Sequence, residues 1–111
     1  MYDPIIATNS LPWSALDFPG VFMRVVHQDA RTGGMTVLTR LEPGATIPAH
    51  SHSEANETVF VLSGDFIEAG TPHEVGSYFV GAAGTPHGPH GSRGGCVVLT
   101  TFSAKLDFKL E

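Results

Sequence analysis

Residues 44–64 read GATIPAHSHSEANETVFVLSG, in which His50 and His52 stand one residue apart and Glu57 follows after four more. Side chains two apart in an extended strand project from the same face, so both imidazoles can reach one ion. The intervening SEAN is long enough for a tight loop, and ETVFVL behind it has the β-branched and aromatic content of a strand. Glu57, at the start of that strand, can come back beside the two nitrogens. One hairpin therefore offers three candidate metal ligands. A firmly held divalent ion needs a fourth group or accepts water, and His27, His73, His87 and His90 are the remaining histidines.

Outside this stretch the chain alternates short strand-like runs with turns. FMRVVHQ (22–28), MTVLTRLE (35–42), ETVFVL (57–62), SYFV (77–80) and CVVLTTF (96–102) are separated by segments that draw on thirteen glycines and eight prolines. Pro43-Gly44 suits the two central positions of a type II turn, and Ser63-Gly64 sits where a tight hairpin would reverse the chain. No long amphipathic helical period occurs. The pattern predicts an all-β fold, an antiparallel barrel or jelly roll that closes a sheet on itself and limits exposed edges.

The 111 residues suit one domain, expected over 1–111 with an N-terminal arm at 1–20. A 41% hydrophobic and 15% charged composition suits a packed core. Eleven acidic against six basic residues give a formal charge of −5 with no Lys/Arg cluster, which argues against nucleic acid and membranes as partners. The start, MYDPIIATNSLPW, has neither a basic nor an apolar leader pattern, so a cytoplasmic location is the expectation. The single cysteine, Cys96, lies in an apolar strand and reads as an inert buried thiol.

The spacing Gly44, five residues, His50, one residue, His52, four residues, Glu57, six residues, Gly64 resembles the first motif of the cupin superfamily. Residues 76–91 resemble the second: Gly76, five residues, Ala82, one residue, Gly84, two residues, His87. Ala82 stands where the family usually has proline, and Gly91 where it often has asparagine. The resemblance implies a cupin-type jelly-roll barrel with His50, His52, Glu57 and His87 as metal ligands. The tetrapeptide GTPH occurs twice, at 70–73 and 84–87. By this resemblance His87 is the ligand, while His73 falls in the linker between the motifs and His90, three residues on, is the rival. Glu54 reads as a solvated loop carboxylate, His27 as structural and Trp13 as an anchor for the arm. Phe60, Tyr78 and Phe102 read as core more readily than as pocket wall.

LPW at 11–13, FPGVFMRVVHQD, LEPGATIPAHSH and GSYFVGAAGTPH are similar to the subgroup that holds the cupin domain of ChrR-type anti-sigma factors. The same subgroup holds small dioxygenases similar to acetylacetone-cleaving enzymes. Three imidazoles and a carboxylate leave places on a six-coordinate ion for a substrate with two oxygens. The resemblance thus implies a metal-dependent dioxygenase for a small diketone-like or hydroxyketone compound, with Fe(II) favoured and Ni, Zn or Mn as alternatives. Two other functions stay open: a non-catalytic metal-binding sensor or interaction module, and a redox-neutral lyase or isomerase. ChrR-type proteins carry an additional N-terminal sigma-binding domain, and only about twenty residues precede the first predicted strand here, which favours the enzyme. Cupins often pair through N-terminal strands, so a homodimer is expected.

Overall fold

The computed structural model describes residues 1–111. Eleven strands carry the chain: β1 (Ser14–Ala15), β2 (Val21–Gln28), β3 (Met35–Leu41), β4 (Thr46–Ile47), β5 (His50–Ser51), β6 (Glu57–Glu68), β7 (Thr71–Glu74), β8 (Tyr78–Gly81), β9 (His90–Gly91), β10 (Cys96–Phe102) and β11 (Lys109–Leu110). One 3-10 turn, Thr8–Ser10, is the only helical segment. No helix is long and apolar enough to cross a membrane.

Every strand pairing is antiparallel, in the order β1-β2-β3-β10-β6-β9-β4, with β7 and β8 also on β6 and with β5 on β11. This curled antiparallel sheet is a jelly roll, as the sequence pattern predicts. Alternation builds its interior: in β10 the residues Cys96, Val98, Thr100 and Phe102 are buried and those between them are not. Val21, Leu41, Ala45, Ile47, Val59, Val61, Phe66, Cys96 and Val98 form one core cluster, and Val37, Ala55 and Phe102 a second. Phe102 is buried in the second cluster and at the same time lines the cavity described below. Phe60 and Tyr78 are not core, since both stand on the outer face of the sheet, 39% and 61% exposed.

Pro43-Gly44 forms the expected turn, with Gly44 at φ 82° and Ala45 N–H donating to the Glu42 carbonyl at 2.9 Å. Ser63-Gly64 does not reverse the chain. β6 runs straight through them to Glu68, its first half pairing with β10 and β8 and its second with β7 and β9. A register shift on β10 between Val97 and Val98 leaves Leu62 extra, a bulge that lets one strand serve both halves of the roll. Gly64 is needed there because a Cβ would lie 1.9 Å from the Gly95 carbonyl oxygen. The reversal comes at Ala69-Gly70, whose positive φ values of 48° and 87° are those of a two-residue hairpin turn.

Candidate metal centre

The ligands proposed from sequence come from three places in the fold. His50 lies in β5, His52 follows it, Glu57 opens β6, and His87 stands in the loop between β8 and β9. Paired backbone hydrogen bonds join His50 to His87: His50 N–H donates to the His87 carbonyl at 2.9 Å and His87 N–H to the His50 carbonyl at 2.8 Å. Ligand atoms of His50, His52, Glu57 and His87 all lie within 4.8 Å of one another. His50, His52 and Glu57 are buried and His87 is half-buried.

Hydrogen bonds at the far side of two rings decide what faces the middle. His50 Nδ1–H donates to the Pro48 carbonyl at 2.7 Å, and His52 Nδ1–H to the Asp107 carbonyl at 2.6 Å. In the neutral rings this leaves an unshared pair on each Nε2. His87 Nε2 lies 3.0 Å from His50 Nε2 and 3.2 Å from His52 Nε2, while Glu57 Oε1 lies 2.9 Å from His52 Nε2 and 3.5 Å from His87 Nε2. Donors bound at about 2.1 Å to one transition ion stand about 3.0–3.4 Å apart. The donor set and its spacing therefore fit a divalent transition ion, and this His-His-Glu-His group could hold one.

Electrostatics separates the three rings. Burial is the largest influence on His50 and pushes its pKa down to about 4. His87 is lowered as well, chiefly by burial. Burial also opposes charge on His52, but the Glu57 carboxylate and the Asp107 carbonyl outweigh it and hold its pKa above the usual value.

The other candidates lie elsewhere. His90 is buried next to the group, stacked on His87 with ring centroids 5.4 Å apart, yet its Nδ1 is 2.8 Å from Glu68 Oε1. Glu68 also accepts Gly88 N–H at 2.9 Å. Burial opposes charge on Glu68, but the His90 contact and the Gly88 N–H prevail and lower its pKa. His73 belongs to β7, where its ring meets Phe79 edge-on at 4.8 Å. Glu54 and His27 are exposed. The two GTPH copies thus leave turns of different fate, one into a strand on β6 and one into the bridge with His50.

Three of the four residues, His50, His52 and Glu57, line a cavity of about 430 Å³ inside the roll. Leu16, Phe18, Met23, Leu41, Ile47 and Val59 contribute to its apolar wall, and the hydroxyl-bearing Thr39 and Thr100 interrupt it. No lysine or arginine lines it. The tail contributes unexpectedly: Phe108 stacks on His50 with centroids 4.2 Å apart, and Leu106 completes the wall. Sequence reasoning passed over this tail, although Leu106, Phe108 and Leu110 alternate with the period of a strand.

The ChrR cupin-like domain pattern matches residues 2–105, and the chain belongs to that family. Among solved structures, KdgF from Halomonas sp. superposes with a TM-score of 0.78 at 23% identity, over 89% of this chain and 91% of that one. An acetylacetone dioxygenase from Acinetobacter johnsonii gives 0.73 at 18% identity, over 89% and 71%. The complex of Rhodobacter sphaeroides SigE with the anti-sigma ChrR gives 0.70 at 21% identity, over 84% of this chain and 50% of that one. No curated protein matches the chain significantly. These neighbours share the fold while differing in what they do, so the activity has to be argued from the site.

Proposed function

We propose that the protein is a metal-dependent dioxygenase for a small diketone-like or hydroxyketone compound, with His50, His52, Glu57 and His87 holding one divalent ion, Fe(II) in the native state. The observation that carries this reading is the convergence of four donor atoms, three of them from residues lining an apolar cavity large enough for a small molecule. When bound, the ion supplies Lewis acidity toward paired substrate oxygens and, as Fe(II), the electrons that activate dioxygen.

The chain's own residues do the rest. Pro48 and Asp107 carbonyls lock the two rings in the tautomer whose Nε2 faces inward. The apolar wall excludes competing water, and Phe108 holds the His50 ring against rotation. Thr39 and Thr100 hydroxyls offer the hydrogen bonds that orient a bound oxygen. The absence of a cationic wall residue favours an uncharged compound over a carboxylated one. The proposal includes a homodimer, supported by the uncharged outer face on which Phe60, Leu62, Tyr78 and Val80 are exposed.

Oxygen uptake by iron-reconstituted protein across a panel of diketones and hydroxyketones tests the reading. Substrate-dependent uptake is expected. Metal binding without uptake on any compound would overturn it and leave the two alternatives, a redox-neutral lyase or isomerase and a metal-binding sensor or interaction module, the second supported by membership of the ChrR cupin-like family.

A further inference from the structure

Arg24 and Arg40 stand on neighbouring strands, β2 and β3, and both lie against one indole. Their guanidinium carbons are 4.2 Å and 4.8 Å from the centroid of Trp13, and Arg40 is also 4.7 Å from the ring of Phe22. The two charges are therefore at most about 9 Å apart, the sum of the two distances to Trp13. Neither has a counter-ion, because every ion pair in the molecule joins a histidine to a glutamate. Of their many N–H donors only Arg24 Nε has a protein acceptor, the Leu11 carbonyl at 2.8 Å. Arg40 Nε is buried with no partner at all.

A buried donor without an acceptor is costly, and although the aromatic faces attract both cations, two like charges this close with no counter-ion still repel. Such a pair is unexpected in a chain of net charge −5 with only six basic residues. The aromatic planes hold the guanidinium forks in place, leaving N–H groups free in the geometry that recognises oxyanions. We propose that Arg24, Arg40 and Trp13 form a binding site for a doubly charged oxyanion, a phosphate or a dicarboxylate.

This site is separate from the metal group. Met23, Thr39 and Leu41 line the cavity, so strand alternation turns Arg24 and Arg40 to the outer face of the same sheet. Its success or failure is accordingly independent of the proposed oxygenase activity.

Trp13 is the only tryptophan and reports directly on its neighbours. Fluorescence of the full chain is titrated with inorganic phosphate and, separately, with succinate, at constant ionic strength maintained by chloride. A saturable change with either anion is expected, and which of them saturates tells a phosphate site from a dicarboxylate site. Arg24→Gln and Arg40→Gln should abolish the change, and Arg40→Lys, which keeps the charge and loses the fork, should weaken binding about tenfold. Thermal melting of the unaltered protein supplies a readout that does not depend on the variants folding, and the saturating anion should raise the midpoint where equal chloride does not. The proposal is overturned if neither anion gives a saturable change in the unaltered protein, or if the change persists in both glutamine variants.

Discussion

His50 and His87, thirty-seven residues apart, are joined twice: by reciprocal backbone hydrogen bonds of 2.9 and 2.8 Å, and by Nε2 atoms that approach to 3.0 Å. His90 lies nearby without sharing that bridge and is held instead by Glu68 at 2.8 Å. His87→Ala should therefore weaken binding of Zn or Ni by at least about a hundredfold, the effect of losing one of four donors. His90→Ala should keep metal stoichiometry near one per chain. Competition against a chromophoric chelator measures both, and loss of metal in His90→Ala with retention in His87→Ala would reverse the ligand assignment.

The metal-free protein should lose stability on acidification. Burial holds His50 down to about 4 from an ordinary 6.5, and His87 is lowered in the same direction, so between those pH values the unfolded chain binds more protons than the folded one. Their contribution is complete above pH 6.5 and is lost as pH falls through the window. Asp65, lowered chiefly by the Arg93 N–H, and Asp107, lowered chiefly by the Ser53 hydroxyl, extend the loss to lower pH. His52, with its raised pKa, acts oppositely: its contribution is complete below pH 6.5 and fades as pH rises through its folded value. Melting temperatures of chelator-treated protein should fall from pH 6.5 to 4, and a flat profile would contradict this account.

Gly64→Ala should destabilise the fold by more than the about 1–3 kcal/mol that a left-handed backbone alone costs a non-glycine residue. Its φ of 74° is a left-handed conformation, and the added methyl would meet the Gly95 carbonyl. Gly70→Ala, at φ 87° but with nothing within 4 Å of the added carbon, should cost less. Urea unfolding of the two variants compares them, and equal losses would remove the steric part of the argument.

Cys96 is 4% exposed and burial raises its thiol pKa. Folded protein should accordingly react with a thiol reagent far more slowly than protein unfolded in guanidinium at the same pH. Rapid modification of the native state would show that β10 opens readily.

The local spacing of residues 44–64 made three candidate ligands readable, because His50, His52 and Glu57 are brought together by one short loop. His87 required a second motif whose register depends on glycine turns at Gly76 and Gly84, at φ 93° and 79°. The partnership of His90 with Glu68 was hidden by one misread turn. With the chain reversing at Ser63-Gly64, Glu68 falls outside the first strand, whereas the bulge at Leu62 carries it along β6 to face β9. The Asp107 carbonyl behind His52 lies fifty-five residues away in sequence and is a backbone group, which side-chain identity does not announce. Trp13 was expected only to anchor the arm, and its two guanidinium neighbours come from strands whose register the residues alone did not reveal.

The central claim is that one divalent ion binds within the His50, His52, Glu57 and His87 group. The most direct measurement is calorimetric titration of chelator-treated protein with Zn, Ni and anaerobic Fe(II), accompanied by X-ray absorption at the metal edge. One ion per chain, in an imidazole-rich nitrogen and oxygen environment that disappears in a His50→Ala/His52→Ala variant, is the predicted result. No uptake of any of the three metals, or the same uptake by that double variant, would contradict it.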